Sequence, residues 1–401
     1  MNCSITPTLI VCARSTVRSL SMRKGIFLQE HGLCMEIEYT ETTDLIEQEG
    51  NAIASASGVE GLAIFAAPAD SLDPSVEPFL QTLDIPVFGG IFPELIFRGE
   101  KKETGAVICG LATEPNVTTV PDLSTAEQEY ASHLDPDLPV EGYDTGFVFV
   151  DAYATGVEQF VESLFRTYSV ELNYIGGGAG TLEMEQKPCL FTNDGVLEDS
   201  AVVAAVESPM EIGVKHGWQE VAGPFRVTDS DGPTVHTLDG NPAFSVYKET
   251  VNKHSSTRVT EESFFEVAKG YPFGIARIDG EQIVRDPFEV TDNDGLNCFG
   301  DVPEGEFVHI LEGQPESLIQ AAKQAKDDTG AEMGNPEGLF FFDCISRVLY
   351  LEENFEHELE GVRTDETPLV GALTIGEIAN DGSGHLDYYN KTAVVGAVDN
   401  V

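Results

Sequence analysis

The last quarter of the chain concentrates side chains that could bind a small polar molecule. Cys344 ends an apolar run, Arg347 follows it by three residues, and Glu377 follows a glycine-containing run. Asn390 and Thr392 precede the final apolar run. A guanidinium group can donate two parallel hydrogen bonds to a carboxylate, and a glutamate can accept from an ammonium group. These residues therefore predict a binding site for a small ligand that carries such groups.

The same residues allow two other interpretations. Arg347 and Glu377 could pair with each other and serve only the fold. Cys344 could be the nucleophile of a cysteine hydrolase, which requires a general base beside the thiol. His357 and His385 are the nearest histidines in sequence, and nothing in the sequence places either one beside Cys344. The residues therefore favour a non-catalytic binding protein, with a cysteine hydrolase as an alternative.

Residues 176–180 form the most glycine-dense stretch and follow a predicted strand. A P-loop would need Lys and then Ser or Thr after the last glycine, and a dinucleotide-binding loop would need a glycine where Glu183 stands. Two interpretations stay open, a tight turn with positive φ or a set of backbone amides that receives a ligand carboxylate. Under the second interpretation the ligand-binding glycines are Gly176, Gly177 and Gly178.

No motif has the spacing that a resident cofactor or metal would require. The seven cysteines lack CxxC spacing, so neither a disulfide framework nor a zinc site is predicted. His216 lies two residues before the only tryptophan, Trp218, and could bind a haem iron. A histidine in such a position more often serves as a hydrogen-bonded core residue. We therefore expect no cofactor, with haem at His216 as the alternative.

A single layout recurs three times and supplies the elements that must position these residues. Each copy has an apolar opening strand, an amphipathic helix, a glycine-containing strand and a closing strand. The opening strands are predicted at 62–67, 147–152 and 339–344, the helices at 71–83, 157–168 and 355–362, the glycine-containing strands at 86–90, 173–180 and 368–372, and the closing strands at 105–111, 201–206 and 393–398. In this layout each second strand ends in glycine, and we expect Gly89, Gly176 and Gly371 at equivalent turns. Gly371 therefore joins the predicted binding residues.

This alternation of strands and helices predicts an α/β fold, with α+β as the alternative. We expect mixed sheets with flanking helices. The ends of the strands and the loops after them should meet at one rim, where ligands bind in open α/β sheets.

Charge sets the expected environment. Asp and Glu total 69 against 22 Lys and Arg, which gives a formal net charge of −47. Such repulsion is screened at molar salt, where the Debye length falls to about 3 Å, so the composition predicts a halophilic protein. The same charge repels phosphate backbones and argues against nucleic-acid binding. We expect no membrane span and a cytoplasmic location, because no apolar run approaches the roughly 20 residues needed to cross a bilayer.

Residues 1–34 differ from the rest of the chain in charge. They contain four basic residues and one acidic residue, Glu30. Met35 begins an alternating stretch that predicts a strand to Tyr39. We interpret residues 1–34 as an extension that is either flexible or the result of a start codon placed too far upstream.

Eleven short motifs in order resemble the FIST domain family over roughly residues 36–398. In the N-terminal half the matching residues are 176–180, 191–195, 216–218, 224–228 and 238–243. In the C-terminal half they are 271–274, 285–287, 304–305, 342–347, 376–379 and 390–392. Tyr389 departs from the pattern, since the resemblance leads us to expect a histidine there.

The resemblance implies a FIST N-terminal half at 35–238 and a FIST C-terminal half at 239–401. It also implies an intracellular sensory domain that binds a small ligand, usually thought to be an amino acid, and that acts in signal transduction. Some members resemble haem-binding gas sensors, which keeps His216 as an alternative. Because the chain ends at Val401, soon after the last predicted strand, we expect the signal to pass to a separate protein.

Overall fold

Three segments of the chain share one arrangement of strands, and we call them repeats 1, 2 and 3. In each repeat the opening strand pairs in parallel with a glycine strand and antiparallel with a closing strand. The opening strands are β2 (Gly61–Ala67), β8 (Thr145–Asp151) and β21 (Gly338–Cys344), the glycine strands are β3 (Val87–Ile91), β9 (Asn173–Ala179) and β22 (Leu369–Thr374), and the closing strands are β6 (Gly105–Leu111), β12 (Ala201–Val206) and β25 (Ala393–Val398). The predicted repeat is confirmed.

This computed structural model describes residues 34–125, 130–134, 142–169, 171–277, 281–330, 336–364, 367–380 and 385–398. Nearly all of the predicted extension, residues 1–34, lies outside these ranges.

A leading strand extends each sheet beyond its closing strand. The leading strands are β1 (Cys34–Thr40) on β6, β7 (Asn116–Val120) on β12 and β13 (Met210–Lys215) on β25. The strand predicted from Met35 to Tyr39 is therefore confirmed as part of β1.

A hairpin follows each glycine strand and joins the sheet of another repeat. The hairpins are β4 (Glu94–Phe97) with β5 (Glu100–Lys102), β10 (Leu190–Thr192) with β11 (Gly195–Leu197), and β23 (Glu377–Asn380) with β24 (Leu386–Tyr389). The repeat 1 hairpin pairs with β22, the repeat 2 hairpin with β3, and the repeat 3 hairpin with β9. This cyclic exchange gives three six-stranded sheets, each built from two repeats.

Helices connect the strands of the repeats, and three of these six helices were predicted. The helices of the repeats are α1 (Ile46–Ala54), α2 (Val76–Thr82), α3 (Val157–Tyr168), α6 (Pro315–Gly330), α7 (Ile345–Leu351) and α8 (Phe355–Val362). The predicted helices correspond to α2, α3 and α8, whereas α1, α6 and α7 were not predicted. Short 3-10 helices are also present. No helix in the described ranges combines the length and the apolar character that a bilayer crossing requires.

Each glycine strand has a glycine at the same register position. These glycines pair with the fourth residue of their opening strand: Gly89 with Ile64, Gly176 with Val148, and Gly371 with Phe341. A Cβ at any of the three positions would overlap the carbonyl oxygen of that partner. Close backbone approach therefore requires glycine here. Their predicted equivalence is confirmed, but their prediction as turn or loop residues was wrong, because residues 176–178 lie inside β9.

The three sheets meet at a cluster of aromatic rings. Phe65, Phe149 and Phe342 are the fifth residues of the three opening strands, and each ring contacts the other two edge-to-face at centroid distances of 5.5 to 5.6 Å. Edge-to-face contact is a favoured geometry for such rings. The repeats thus share one core.

A separate sheet is inserted in repeat 3, between β13 and α6. Its seven strands are β14 (Gln219–Asp231), β15 (Thr234–Leu238), β16 (Asn241–Pro242), β17 (Phe273–Ile275), β18 (Ile283–Val290), β19 (Leu296–Phe299) and β20 (Phe307–Glu312), and it carries α4 (Ala243–Val251) and α5 (Phe264–Ala268). We call it the inserted sheet. The predicted α/β class with mixed sheets and flanking helices is confirmed.

Candidate functional site

The structure brings most of the predicted site residues together near the carboxyl ends of β21 and β22, whereas Gly371 lies inside β22, paired with Phe341 and Ile96. Glu377 pairs with Gly177 of β9, and Ile378 pairs with Gly176. Cys344 pairs with Thr374 of β22. All nine predicted binding residues are buried. We call the group of Cys344, Arg347, Glu377, Asn390 and Thr392 with their partners the repeat 3 cluster.

Glu377 forms the centre of this cluster. Its Oε1 lies 2.9 Å from the Thr374 hydroxyl, and its Oε2 accepts a hydrogen bond from the Thr392 backbone N–H at 3.2 Å. The Thr392 hydroxyl donates to the Asn390 carbonyl at 2.8 Å. Burial, and then the nearby Asp343, raise the pKa of Glu377 well above its ordinary value. Burial therefore favours the neutral form of this carboxyl group.

Among the described residues, the hydrogen-bonding neighbours of the Cys344 thiol include no histidine. Its sulfur lies 3.1 Å from the Ser346 hydroxyl and also contacts the Glu377 carboxyl group. Burial, and then the neighbouring Glu377, raise the pKa of Cys344 to about 12. A protonated thiol is a poor nucleophile. This geometry does not fit the catalytic centre of a cysteine hydrolase.

Arg347 is fully buried and bound to the protein on every side. Its Nε lies 2.9 Å from Asp343 Oδ1, and its Nη2 lies 2.8 Å from Glu358 Oε2. The remaining N–H groups donate to the backbone carbonyls of His216, Leu318 and Lys391. The predicted alternative that Arg347 pairs with Glu377 was wrong. The geometry assigns Arg347 to the fold rather than to a ligand carboxylate.

The sequence held part of the signal for these partners. Asp343 precedes Arg347 by four residues, which is a spacing that often brings opposite charges together. Glu358 lies eleven residues beyond Arg347 and reaches it only because α8 packs beside α7. The second partner therefore depends on tertiary structure.

His216 does not fit the role of a haem ligand. Its Nδ1 accepts a hydrogen bond from the Trp218 backbone N–H at 2.9 Å, and its Nε2 lies 3.2 Å from Glu281 Oε2. Burial lowers the pKa of His216 to about 4, so the ring is neutral at pH 7 with both nitrogens engaged. Within the described ranges, no group of three or more His, Cys, Asp or Glu side chains is arranged to hold a metal ion.

Lys391 ties the repeat 3 cluster to the inserted sheet, and the sequence did not single it out. Its ammonium group lies 2.9 Å from Asp286 Oδ2, donates to the Lys269 carbonyl at 3.1 Å and stands 5.0 Å from the centre of the Trp218 ring. Lys391 is completely buried. Segment 390–392 thus serves as a structural connection.

An open cleft lies between repeats 1 and 2, at the carboxyl ends of β2, β3 and β9. We call it the interrepeat cleft; its volume is about 620 Å³. Its walls are residues 68–72 after β2, 91–93 at the end of β3, 103–104 before β6, and 180–183 with 185 and 187–189 after β9. The predicted glycines, Gly176, Gly177, Gly178 and Gly371, are not among the residues that line the cleft, and the Gly178 N–H donates to the Gly376 carbonyl at 2.8 Å. Only the end of the glycine stretch, Gly180, lines the cleft.

Polar groups in the interrepeat cleft have hydrogen-bonding capacity left over. The Thr181 hydroxyl oxygen is inaccessible to solvent and has no hydrogen-bond partner among the described residues. Asp70 and Glu103 line the cleft and are exposed. Lys187 lines it as well and pairs with the exposed Glu183 and with Glu185. The arrangement can bind both a carboxylate and an ammonium group.

The cleft contains one thiol. Cys189 is buried, and desolvation, with smaller contributions from Asp151 and Glu198, raises its pKa well above the ordinary value. It is therefore protonated at neutral pH and suited to packing rather than to nucleophilic attack.

Comparison with known proteins assigns the family. Residues 61–241 match the FIST N domain, and residues 243–380 match the FIST C domain. The chain belongs to the FIST family. These two matches agree with the two halves expected from the sequence, although the boundary between residues 238 and 239 stays a prediction. FIST domains are generally sensory domains that bind small ligands, rather than catalytic domains.

One curated relative is also similar to this FIST protein. It is an uncharacterised protein of Methanocaldococcus jannaschii, 24% identical over 241 residues. The similar segment covers 57% of this chain and 45% of the relative. This chain therefore spans less than half of the relative, whose description names no ligand.

Proposed function

We propose that this FIST protein is a non-catalytic sensor that binds an amino acid, or a similar small zwitterion, in the interrepeat cleft and signals to a separate protein. The volume of about 620 Å³ falls within the range of roughly 300–1,000 Å³ that is usual for small-molecule sites. The carboxyl ends of parallel strands are where open α/β sheets bind their ligands.

The observation that carries this proposal is the unpartnered hydroxyl of Thr181. Buried polar atoms in proteins are almost always hydrogen-bonded, and an orphaned atom calls for an explanation. Thr181 lines the interrepeat cleft, and its hydroxyl has no partner among the described residues. The hydroxyl oxygen is covered from solvent, so a ligand in the cleft would supply the missing partner after Thr181 turns this group towards it.

The charged residues suit the two ends of a zwitterion. The carboxylates of Asp70 and Glu103 are suited to an ammonium group, because charge-assisted hydrogen bonds are stronger than neutral ones. Lys187 and the Thr181 hydroxyl are suited to a carboxylate. The proposed ligand contacts are therefore Asp70, Glu103, Thr181 and Lys187 rather than the repeat 3 cluster.

A thermal-unfolding screen in molar KCl tests the proposal. The salt screens the net charge, and the probes are the twenty common amino acids, glycine betaine and acetate. A ligand at about 100 times its dissociation constant stabilises the folded state by about 2.7 kcal/mol, which raises the melting temperature measurably. The proposal is wrong if none of these compounds raises the melting temperature.

Two matched substitutions locate the site. Thr181→Val should abolish most of the ligand-induced increase in melting temperature, because the valine cannot hydrogen-bond. Thr113→Val is the control, since the Thr113 hydroxyl is also buried and unpartnered among the described residues but lies beside a different cavity. Equal loss of the ligand effect in both variants would contradict the assignment to the interrepeat cleft.

A further inference from the structure

The interrepeat cleft has an apolar side as well as a polar one. Leu72, Ile91, Phe92 and Leu182 all line it. Ile91 and Phe92 are 6% and 1% exposed, so they form a fixed inner surface that belongs to the core. Leu182 is 52% exposed and stands at the rim. A ligand that touched all four would meet hydrocarbon on two sides.

The loop that carries Leu182 is held at its start. Gly180 N–H donates to the Ile91 carbonyl at 2.8 Å, and the Tyr153 hydroxyl donates to the Thr181 carbonyl at 2.5 Å. Met184, two residues after Leu182, is 55% exposed. Single exposed apolar residues are normal on protein surfaces, but Leu182 continues the apolar side of a cleft. Its exposure therefore indicates a contact that is completed by a ligand.

Thr181 and Leu182 are consecutive residues, so a polar and an apolar contact of the cleft lie side by side. An amino acid has the same arrangement, since its charged groups and its side chain branch from one carbon atom. We infer that the ligand is an amino acid with a large apolar side chain, such as leucine or phenylalanine, whose side chain packs against Leu72, Phe92 and Leu182. This inference rests on the proposed function and names the ligand class of the same cleft.

The acidic residues of the cleft argue against a ligand with an acidic side chain. Asp70, Glu103, Glu183 and Glu185 line the cleft, so an acidic ligand side chain would meet like charges. A small side chain such as that of alanine would leave the apolar side of the cleft exposed to water. Burial of one large aliphatic side chain is expected to tighten binding by about 10- to 100-fold over alanine.

Titration of the full-length protein in molar KCl with leucine, phenylalanine, alanine, serine, lysine and glutamate tests the inference. We expect leucine or phenylalanine to bind at least about 10-fold more tightly than alanine, serine, lysine or glutamate. Leu182→Ser should reduce the leucine-to-alanine affinity ratio by about 3- to 10-fold. Leu349→Ser is the matched control, because Leu349 is also 52% exposed but lies on α7, outside the residues that line the cleft.

The outcomes separate this inference from the proposed function. If none of the six amino acids binds, the inference is overturned, and the wider screen decides the proposed function independently. If alanine, serine, lysine or glutamate binds as tightly as leucine and phenylalanine, the proposed function stands and the apolar inference is overturned. The same conclusion follows if Leu182→Ser leaves the leucine-to-alanine ratio unchanged, or if Leu349→Ser reduces it equally.

Discussion

The repeat 3 cluster and the interrepeat cleft both lie at the ends of an opening strand and a glycine strand. They differ in the burial and the hydrogen-bond partners of their polar groups. In the cluster Cys344, Arg347, Glu377 and Thr392 are 0 to 3% exposed, and their polar atoms bond to neighbouring side chains or to the backbone. Asp343 Oδ2 in the cluster and the Thr181 hydroxyl both have no partner among the described residues, but only Thr181 lines the cleft. Reactive residue types therefore do not define a site by themselves. A binding site also needs hydrogen-bonding capacity that a ligand can reach.

The inserted sheet accounts for much of the difference. Asn390 donates to the Phe299 carbonyl at 3.1 Å, and Arg285 donates to the Tyr388 carbonyl at 2.9 Å, so the inserted sheet covers the end of repeat 3. In repeat 1 the connection from leading strand to opening strand, which is described throughout, contains only a 3-10 helix, α1 and short linking segments. An insertion at one equivalent connection thus closes one strand end and leaves the other open.

The largest expected effect comes from the close approach between the glycine strand and the opening strand, a feature that both regions share. Gly371→Ala should prevent folding, because the new Cβ would overlap the Phe341 carbonyl oxygen in the paired strand. Gly338→Ala, at the start of β21, is the control, since a Cβ there meets nothing within 4 Å. Soluble yield and urea unfolding in molar KCl measure both variants. A Gly371→Ala protein as stable as Gly338→Ala would contradict the strand register.

The next effect tests whether Arg347 serves the fold. Arg347→Ala would leave Asp343 and Glu358 buried without their cation, which should lower the free energy of unfolding by about 3–5 kcal/mol. Arg277→Ala is the control, because Arg277 is 34% exposed and pairs with Asp387 at 3.2 Å; its loss should cost under about 1 kcal/mol. Urea unfolding curves measure the difference. Similar losses of unfolding free energy in the two variants would contradict a structural role for Arg347.

A smaller effect concerns pH. Because the pKa of Glu377 is raised in the folded state, that state keeps a proton which the unfolded chain has lost above its ordinary pKa of 4.5. The contribution of Glu377 to stability therefore falls as pH rises from about 4 through the folded pKa. Glu377→Gln should flatten the decrease in free energy of unfolding as the pH rises above the ordinary pKa of 4.5. An unchanged slope would contradict a protonated Glu377; Glu262→Gln, at an exposed position, is the control.

The smallest expected effect separates the two regions by ligand binding. Cys344→Ala should cost about 1 kcal/mol of stability through lost packing and leave amino-acid affinity unchanged. Asp70→Asn in the interrepeat cleft should leave the stability nearly unchanged and weaken the binding of the amino acid. Calorimetric titration and urea unfolding check both variants. Loss of binding in Cys344→Ala alone would return the ligand site to the repeat 3 cluster.

The local pattern of residues predicted the elements well. The apolar runs and the helical spacing predicted α3 and α8 at their observed bounds, and the strands β6, β12 and β25 also begin and end where predicted. The predicted site residues do lie together. Strand and helix periodicity depends on neighbouring residues, so a sequence contains that information directly.

The same local pattern led to wrong predictions for the glycines and for the charged partner of Arg347. Glycine is common in turns, so the density of residues 176–178 predicts a loop, whereas these residues lie inside β9. A Cβ at any of the three would overlap a backbone carbonyl oxygen of a neighbouring segment, namely that of Val148, Gly376 or Ile375. Arg347 meets its partner Glu358 through helix packing. Neither contact leaves a periodic signal.

The residues alone predict the class of fold, the three repeats, the equivalence of Gly89, Gly176 and Gly371, and the acidic character of the chain. Which hairpin joins which sheet, which strand end the inserted sheet covers, and that Thr181 and Leu182 border an open cleft became known only from the folded chain. The cause is separation along the chain. Hydrophobic periods arise within short segments and can be read from neighbouring residues. The pairing of β10 with β3 joins residues about a hundred positions apart. A cavity likewise depends on how such distant segments pack against one another.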